Sequence, residues 1–352
     1  MAQASPPIAY IHPSRTYFVA KDIDALRAHG ITVHEHGFGS NRPWALPFHL
    51  IAQLLFLLRM RRRKVKHVLA HFAGHHTVLP VLLGFRCHII VAGADACSFP
   101  AIGYGSFRKP LMRWSLRLSM RRAATILPVH ASLERFDQTY SELGPVQQGY
   151  AHFVPGLRTP SIAIPYGFDT DLWRNSGTGQ DRRRVLCVAT GAAQGSAVHF
   201  RKGVDLIIDA AARMPQLRFT IVGVDVTSYR GIPANVQLLG RVAPVEMSAL
   251  MARHGIYLQP SVMEGFPNAL CEAMLSGCIP IVSNVTSMPD IVGPAGLVIM
   301  KRDSTELCRA MERLSSMWDQ ELNDLRKAAI QRVVGFTMHA RVHALLSITR
   351  SS

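Results

Sequence analysis

Two glutamates, Glu264 and Glu272, stand eight positions apart in the stretch EGFPNALCEAM, divided by a Gly-Phe-Pro-Asn break. A carboxylate just before a turn and another on the helix after it are, in the plainest reading, a loop residue and a solvated helix residue, so the surroundings must decide. The segment IYLQPS before the first glutamate reads as a strand, and the apolar run from Asn268 onward reads as a helix. In open α/β sheets ligands bind beyond the carboxyl ends of the strands, which puts Glu264 in that crevice by position. The helix start near Asn268 turns free N–H groups and the positive end of its dipole toward the same place. Such a place favours a phosphate-bearing ligand, and a carboxylate beside it can accept hydrogen bonds from sugar hydroxyls.

The elements that must position these residues follow from the hydrophobic pattern. Strands are predicted at Ile8–His12, Thr32–His36, His67–Phe72, His88–Gly93 and Thr125–His130 in the first half. In the second half they are predicted at Arg184–Thr190, Arg218–Val224, Val236–Gly240, Ile256–Ser261, Ile279–Asn284 and Gly296–Met300. Amphipathic helices are expected at Gly203–Met214, Val245–His254 and Asn268–Ser276, which gives the βαβ alternation of parallel sheets. The turn-rich stretch from Ile164 to Asp181 reads as a linker between two doubly wound α/β domains. The expected boundaries are 1–168 and 182–335, with a C-terminal helix at about 336–352 packing back on the first domain.

With 352 residues, 48% of them hydrophobic, the chain can bury a substantial core. Its longest apolar stretch, Trp44 to Leu58, contains His49 and Gln53 and falls short of the roughly 20 residues that span a bilayer. With no secretory signal in MAQASPPIAYIHPS, the expected location is the cytoplasm. Six cysteines without a CxxC pair read as reduced core residues. Lys+Arg number 39 against 23 Asp+Glu, and 19 against 8 of these fall in the first 170 residues. A basic first half points to anionic partners. Aromatic residues make up only 8% and no recognition motif accompanies the charge, so nucleic acid is not the expected one.

The block PSVMEGFPNALCEAMLSGCIPIVSN (Pro260 to Asn284), with HFRKG (His199 to Gly203), VQLLGRV (Val236 to Val242) and IPYGFD (Ile164 to Asp169), resembles the retaining glycosyltransferases of family 4. The resemblance is good over Arg184 to Met300 and weaker in the first half, where FVAKDIDAL and VAGAD carry it. It implies a GT-B fold, two Rossmann-like domains facing across a cleft, and a nucleotide-sugar donor as substrate, with no cofactor and no metal. By this resemblance Lys202, helped by Arg201, faces the donor diphosphate, Glu264 holds sugar hydroxyls, and Glu272 accepts from the ribose. Gly265, Phe266, Asn268, Ala269 and Leu270 then line the sugar and phosphate. Gly191 belongs to the glycine loop after the first strand of that domain, and Arg241 and Val242 lie where the base is chosen. The family often has an arginine shortly after that first strand, where this chain reads VATGAAQGS. It also often has a histidine where this chain has Ala92, so His71, His75 or His76 is a candidate substitute. Asp95 matches an acidic position on the acceptor or sugar side, and Asp290 stands where a glutamate is common.

The implied reaction transfers a sugar with retention of anomeric configuration. Lys202, Arg201 and the helix start stabilise the departing diphosphate, and the acceptor hydroxyl attacks on the same face without a protein nucleophile. The pairs Asp22/Asp24 and Asp169/Asp171 superficially resemble a metal motif, but one lies in a helical pattern and the other in the linker. The acceptor is expected to be a glycan or lipid-linked, in cell-envelope or exopolysaccharide synthesis. The run RMRRRKVK after the apolar stretch, and Arg113, Arg117 and Arg121 at helical spacing, suit an anionic membrane surface. Peripheral attachment to the inner face of the cytoplasmic membrane is therefore expected. Two alternatives stay open: a nucleotide-sugar epimerase of similar build, and a non-catalytic, membrane-docked partner of another transferase.

Overall fold

The computed structural model describes residues 6–39, 43–173 and 180–350. The N-terminal half forms β1 (Ile8–His12), β2 (Val33–Gly37), β3 (His67–His71), β4 (Arg86–Val91) and β5 (Thr125–Pro128), paired in the order β2-β1-β3-β4-β5. A short antiparallel pair follows, β6 (Phe136–Asp137) and β7 (Gln147–Gln148). The C-terminal half forms β8 (Asp181–Val188), β9 (Arg218–Val222), β10 (Val236–Leu239), β11 (His254–Gln259), β12 (Ile279–Ser283) and β13 (Leu297–Ile299). Their order is β10-β9-β8-β11-β12-β13. Both large sheets are parallel throughout. Every residue of β1, β3, β11 and β12 is buried, as expected of strands covered by helices on both faces.

Each strand expected from the sequence is present, with shifts that have local causes. The chain joins the second sheet at Asp181, the last residue read as linker. The helix expected over Val245–His254 is Pro244–Met251, and His254 instead opens β11. Its Nδ1–H donates to the Leu250 carbonyl at 2.7 Å and its Nε2 meets the Thr220 hydroxyl at 3.1 Å, which satisfies a ring that burial would otherwise penalise. All six cysteines are buried and free. Among the described residues no helix is long and apolar enough to cross a membrane.

Two features bring the halves of the site together. Gly203 sits at φ +69° before the helix Val204–Arg213, and a Cβ there would meet the Pro260 carbonyl at 2.4 Å. That close approach delivers Lys202 to the end of β11. At the other end of the chain, the helix Met338–Arg350 returns to the N-terminal half. Its Arg341 is buried and forks onto Asp22, Nε to Oδ1 at 2.5 Å and one terminal nitrogen to Oδ2 at 2.6 Å. The same guanidinium donates to the carbonyls of Ile164 and Pro165, both at 2.9 Å.

Candidate active site

A cavity of about 440 Å³ lies between the carboxyl ends of the two sheets, lined from one side by Tyr17, Phe72, Ala92, Tyr104 and Tyr166 and from the other by Thr190, Lys202, Gln259 and the segment from Glu264 to Ala269, with Glu272. Lys202 Nζ meets Glu264 Oε1 at 2.6 Å. Gln259 Nε2 donates to the same oxygen at 2.9 Å, and the Tyr257 hydroxyl fixes the Gln259 amide by donating to its Oε1 at 2.8 Å. Burial pushes the Glu264 carboxyl up, but Lys202 and then Arg201 more than offset it, so it is held below the usual carboxylate range. Gln259 was not anticipated from the sequence. Its signal was there: a polar residue at the buried end of the strand IYLQPS.

The two neighbouring cations diverge. Lys202 turns to Glu264, whereas the Arg201 guanidinium lies 4.5 Å from the centre of the Tyr104 ring, on the opposite wall. Asn268 and Ala269 open the helix Asn268–Leu275, whose N-terminus faces the cavity. Leu270 is fully buried, and its N–H bonds the Pro267 carbonyl at 3.2 Å. Phe266 is buried against Phe168, Tyr166 and Phe336. At Gly265 a Cβ would fall 1.9 Å from the Ala92 carbonyl, so the backbones of the two halves meet there. Gly191, at φ +79°, and Arg241 and Val242 beyond β10 lie outside the cavity lining.

Glu272 lines the cavity yet is only 8% exposed, and its carboxyl has no hydrogen-bond donor among the described residues. Burial pushes it up to about 7, against a smaller pull downward from Lys21. Lys21 belongs to the N-terminal half and donates to the Gly167 carbonyl at 3.0 Å.

The first-half candidates are buried in other networks. Asp95 accepts from the backbone N–H groups of Ala73 at 2.9 Å and of Ala92 and Gly93 at 3.0 Å, and burial raises its carboxyl to about 6. It thereby shapes the loop that carries Ala92. His71 lies between the hydroxyls of Tyr10 and Tyr166, at 2.8 and 2.9 Å, and burial drives it down to about 3, so the ring is neutral. It does not line the cavity itself but backs three residues that do, bonding Tyr166 and packing on Phe18 and Phe72. His75 meets Ser115, and His76 meets the His71 carbonyl. Asp290 is exposed, 3.6 Å from His130. Of the Asp-x-Asp pairs, Asp22 is taken by Arg341, Asp24 by Arg15 at 3.2 Å, and Asp169 by the N–H groups of Asp171 and Leu172.

Residues 187–317, which carry the C-terminal-half wall of this cavity, match the family described as Glycosyl transferases group 1. That stretch is similar to the group 1 glycosyl transferases. The phosphatidylinositol N-acetylglucosaminyltransferase gpi3 subunit of Schizosaccharomyces pombe is 31% identical over 109 residues, 28% of this chain and 24% of that protein. The chain spans between 18% and 38% of the length of the curated relatives it matches. Over the whole chain, sucrose-phosphate synthase of Thermosynechococcus elongatus aligns with a TM-score of 0.75 at 16% identity, covering 98% of each chain. HepE of Anabaena in complex with UDP-glucose aligns at 0.69 with 17% identity, over 98% of this chain and 99% of that one. At such identities the likeness concerns the fold, and residues 187–317 lie in the second of the two Rossmann-like halves of a GT-B fold.

Proposed function

We propose that this protein is a retaining glycosyltransferase that moves a sugar from a nucleotide-sugar to a glycan or lipid-linked acceptor in cell-envelope or exopolysaccharide synthesis. The observation that carries the reading is the Lys202–Glu264–Gln259 cluster on the same cavity wall as a helix N-terminus. An ammonium group has three donors, so Lys202 can keep Glu264 and still reach a diphosphate. As the leaving group departs its charge grows, and Lys202 with the N–H groups at Asn268 and Ala269 opposes that growth. Glu264, ionised, accepts from hydroxyls of the transferred sugar. Glu272, without a donor of its own, accepts from the ribose. Arg201 stacks on Tyr104 and closes the acceptor-side wall beside the diphosphate. Asp95 and His71 shape that wall, through the Ala92 loop and through Tyr166. Gly191, Arg241 and Val242 come to border the nucleotide once it fills the donor half.

One neighbour of the same fold is known with UDP-glucose, so UDP-sugars are the first donors to try. Attachment to the inner face of the cytoplasmic membrane through the basic run Arg61 to Lys64 belongs to the same proposal. The test is acceptor-dependent release of nucleoside diphosphate, with product stereochemistry read by NMR. Release with retention supports the reading. Interconversion of the nucleotide-sugar without an acceptor makes the protein an epimerase, and binding without turnover makes it a partner subunit.

A further inference from the structure

The helix Leu46–Arg62 differs from an ordinary surface helix: Leu57 and Met60 on its inner side are in the core, and its outer side is apolar as well. From residue 47 to 58 its exposed positions are Pro47, Phe48, Ile51, Ala52, Leu55 and Leu58, all apolar, while the polar Gln53 is fully buried and donates to the His76 carbonyl at 2.7 Å. Phe48 is 68% exposed and Leu55 62%. Steps of three and four residues set Phe48, Ile51, Leu55 and Leu58 on one side of the helix. Leaving such a face in water forfeits a large part of the burial energy that would hold the helix on the sheet.

The surroundings extend this face. The connections β2 to β3, β3 to β4 and β4 to β5 all cross the sheet in the same direction, so right-handed crossovers place their helices on one face of it. Leu82, Leu111 and Trp114, on the other two helices, are also exposed. Among the described residues, eight of the sixteen large exposed hydrophobic residues are Trp44 and residues of these three helices, so the apolar surface is concentrated and not scattered. At the far end of the stripe a pocket of about 400 Å³ is lined by Arg61, Lys64, Lys66 and Arg86 over Val65, Leu83, Gly84 and Phe85. Its lining holds no carboxylate, and none of the four cations is in an ion pair among the described residues. Arg113, Arg117 and Arg121 are employed differently. They donate to the carbonyls of Phe107, Phe153 and Pro155 at 2.7, 2.8 and 2.9 Å and tether loops.

We infer that the helix Leu46–Arg62 lies in the surface of a bilayer, its apolar face among the acyl chains, and that the Arg61–Lys64–Lys66–Arg86 pocket seats the phosphodiester of an anionic phospholipid. An apolar stripe that ends in unpaired cations matches a molecule that is itself apolar at one end and anionic at the other. The helix starts just after the carboxyl end of β2, the edge of the sheet that carries the cleft. Insertion therefore draws the cleft rim down to the headgroup layer, where a lipid-linked acceptor presents its sugar. This deepens the membrane part of the proposed function and is independent of sugar transfer.

Flotation of the full chain with phosphatidylglycerol-containing and pure phosphatidylcholine vesicles, at low and about 1 M salt, tests it. Charge attraction is screened within about 3 Å at the higher salt, whereas apolar insertion is not. Wild type is expected to keep a floating fraction on anionic vesicles at high salt. Ile51→Ser/Leu55→Ser, at exposed positions and with unchanged thermal unfolding, should lower that fraction at least tenfold (about two leucine-sized side chains). Lys64→Gln/Lys66→Gln/Arg86→Gln should remove about tenfold or more of the preference for anionic over neutral vesicles. Complete release of wild type by salt overturns the insertion and leaves only surface attraction, whereas no flotation even at low salt overturns the membrane reading itself. A wild-type dimer that Ile51→Ser/Leu55→Ser turns into a monomer, with no flotation, assigns the face to a second copy. Inorganic phosphate that stabilises wild type but not the pocket variant, without vesicle binding, assigns the pocket to a free anion; either result overturns the proposal.

Discussion

At the residue scale, the Lys202–Glu264 pair is both a structural and a chemical unit. Both groups are largely buried, 2.6 Å apart, so removing the lysine strands a carboxylate in a dry place. Lys202→Ala is expected to lower unfolding stability by about 3 kcal/mol and to depress turnover. Adding Glu264→Gln should restore most of the stability and none of the turnover, and urea unfolding of the single and double variants measures the difference. If Lys202→Ala unfolds like wild type, the pair contributes nothing to the fold. Glu272 carries a pH signature. Its carboxyl is raised from 4.5 to about 7 in the folded chain. The folded protein therefore holds a proton that the unfolded chain releases, and the associated stability is fully present below about pH 4.5 and is lost as pH rises through 7. Glu272→Gln removes this dependence. The variant should gain on wild type by on the order of 3 kcal/mol between pH 4.5 and 8. Thermal unfolding across that range checks it, and a constant difference would contradict the burial argument. The plainest reading of the spacing, a solvated helix carboxylate, does not hold here, because the group is nearly enclosed and lines the cavity.

At the scale of elements, the site depends on two loops that touch through glycines. Gly93 stands at φ +132°, and a Cβ on it would come within 3.1 Å of the Gly265 nitrogen; the reverse approach, from Gly265 to the Ala92 carbonyl, is closer still. Neither neighbour is a flexible side chain that can move aside. Gly265→Ala should force the loop after β11 away from the loop after β4, cost about 1–3 kcal/mol, and reduce turnover more than Gly265 could by any direct contact of its own. Unchanged melting temperature and activity in this variant would show that the halves accommodate a methyl group and that their contact is loose.

At the scale of the whole molecule, the chain crosses between its halves twice, once at the segment after Ile164 and again at the C-terminal helix, and Arg341 joins both crossings to the helix Tyr17–Ala28 of the first half. Its guanidinium holds Asp22, the carbonyls of Ile164 and Pro165, and lies 4.6 Å from the centre of the Tyr166 ring that lines the cavity. Tyr10 and His71 complete a buried polar chain from Arg341 back to Tyr166. Arg341→Met leaves Asp22 buried without its counter-charge and should cost about 3–5 kcal/mol, with a rise in donor KM as Tyr166 loses its support. Arg341→Met/Asp22→Asn should recover part of the stability in chemical unfolding. If the double variant is no more stable than the single one, the pair is not what holds the C-terminal helix.

The sequence alone determined the architecture and the gathering of Glu264, Asn268 and Glu272 on one cavity wall, because both are local. The strands are continuous apolar runs between turn residues, and Glu264, Asn268 and Glu272 lie within nine positions of one another on a strand–turn–helix unit whose geometry hardly varies. The tertiary structure decided everything that depends on residues far apart in the chain. Gln259 joins the cluster because Tyr257 orients it, and Arg201 separates from Lys202 because Tyr104, nearly a hundred positions earlier, offers it a ring. Asp22 and Arg341 are 319 positions apart, and no spacing rule connects them. The helix Leu46–Arg62 shows the limit most clearly. Its composition looks like that of a core element, and only the packing, with Gln53, Leu57 and Met60 inward, shows that a second apolar side is left outside. Hydrophobic pattern fixes the period of a helix, but which side faces the sheet is settled by the partners it meets.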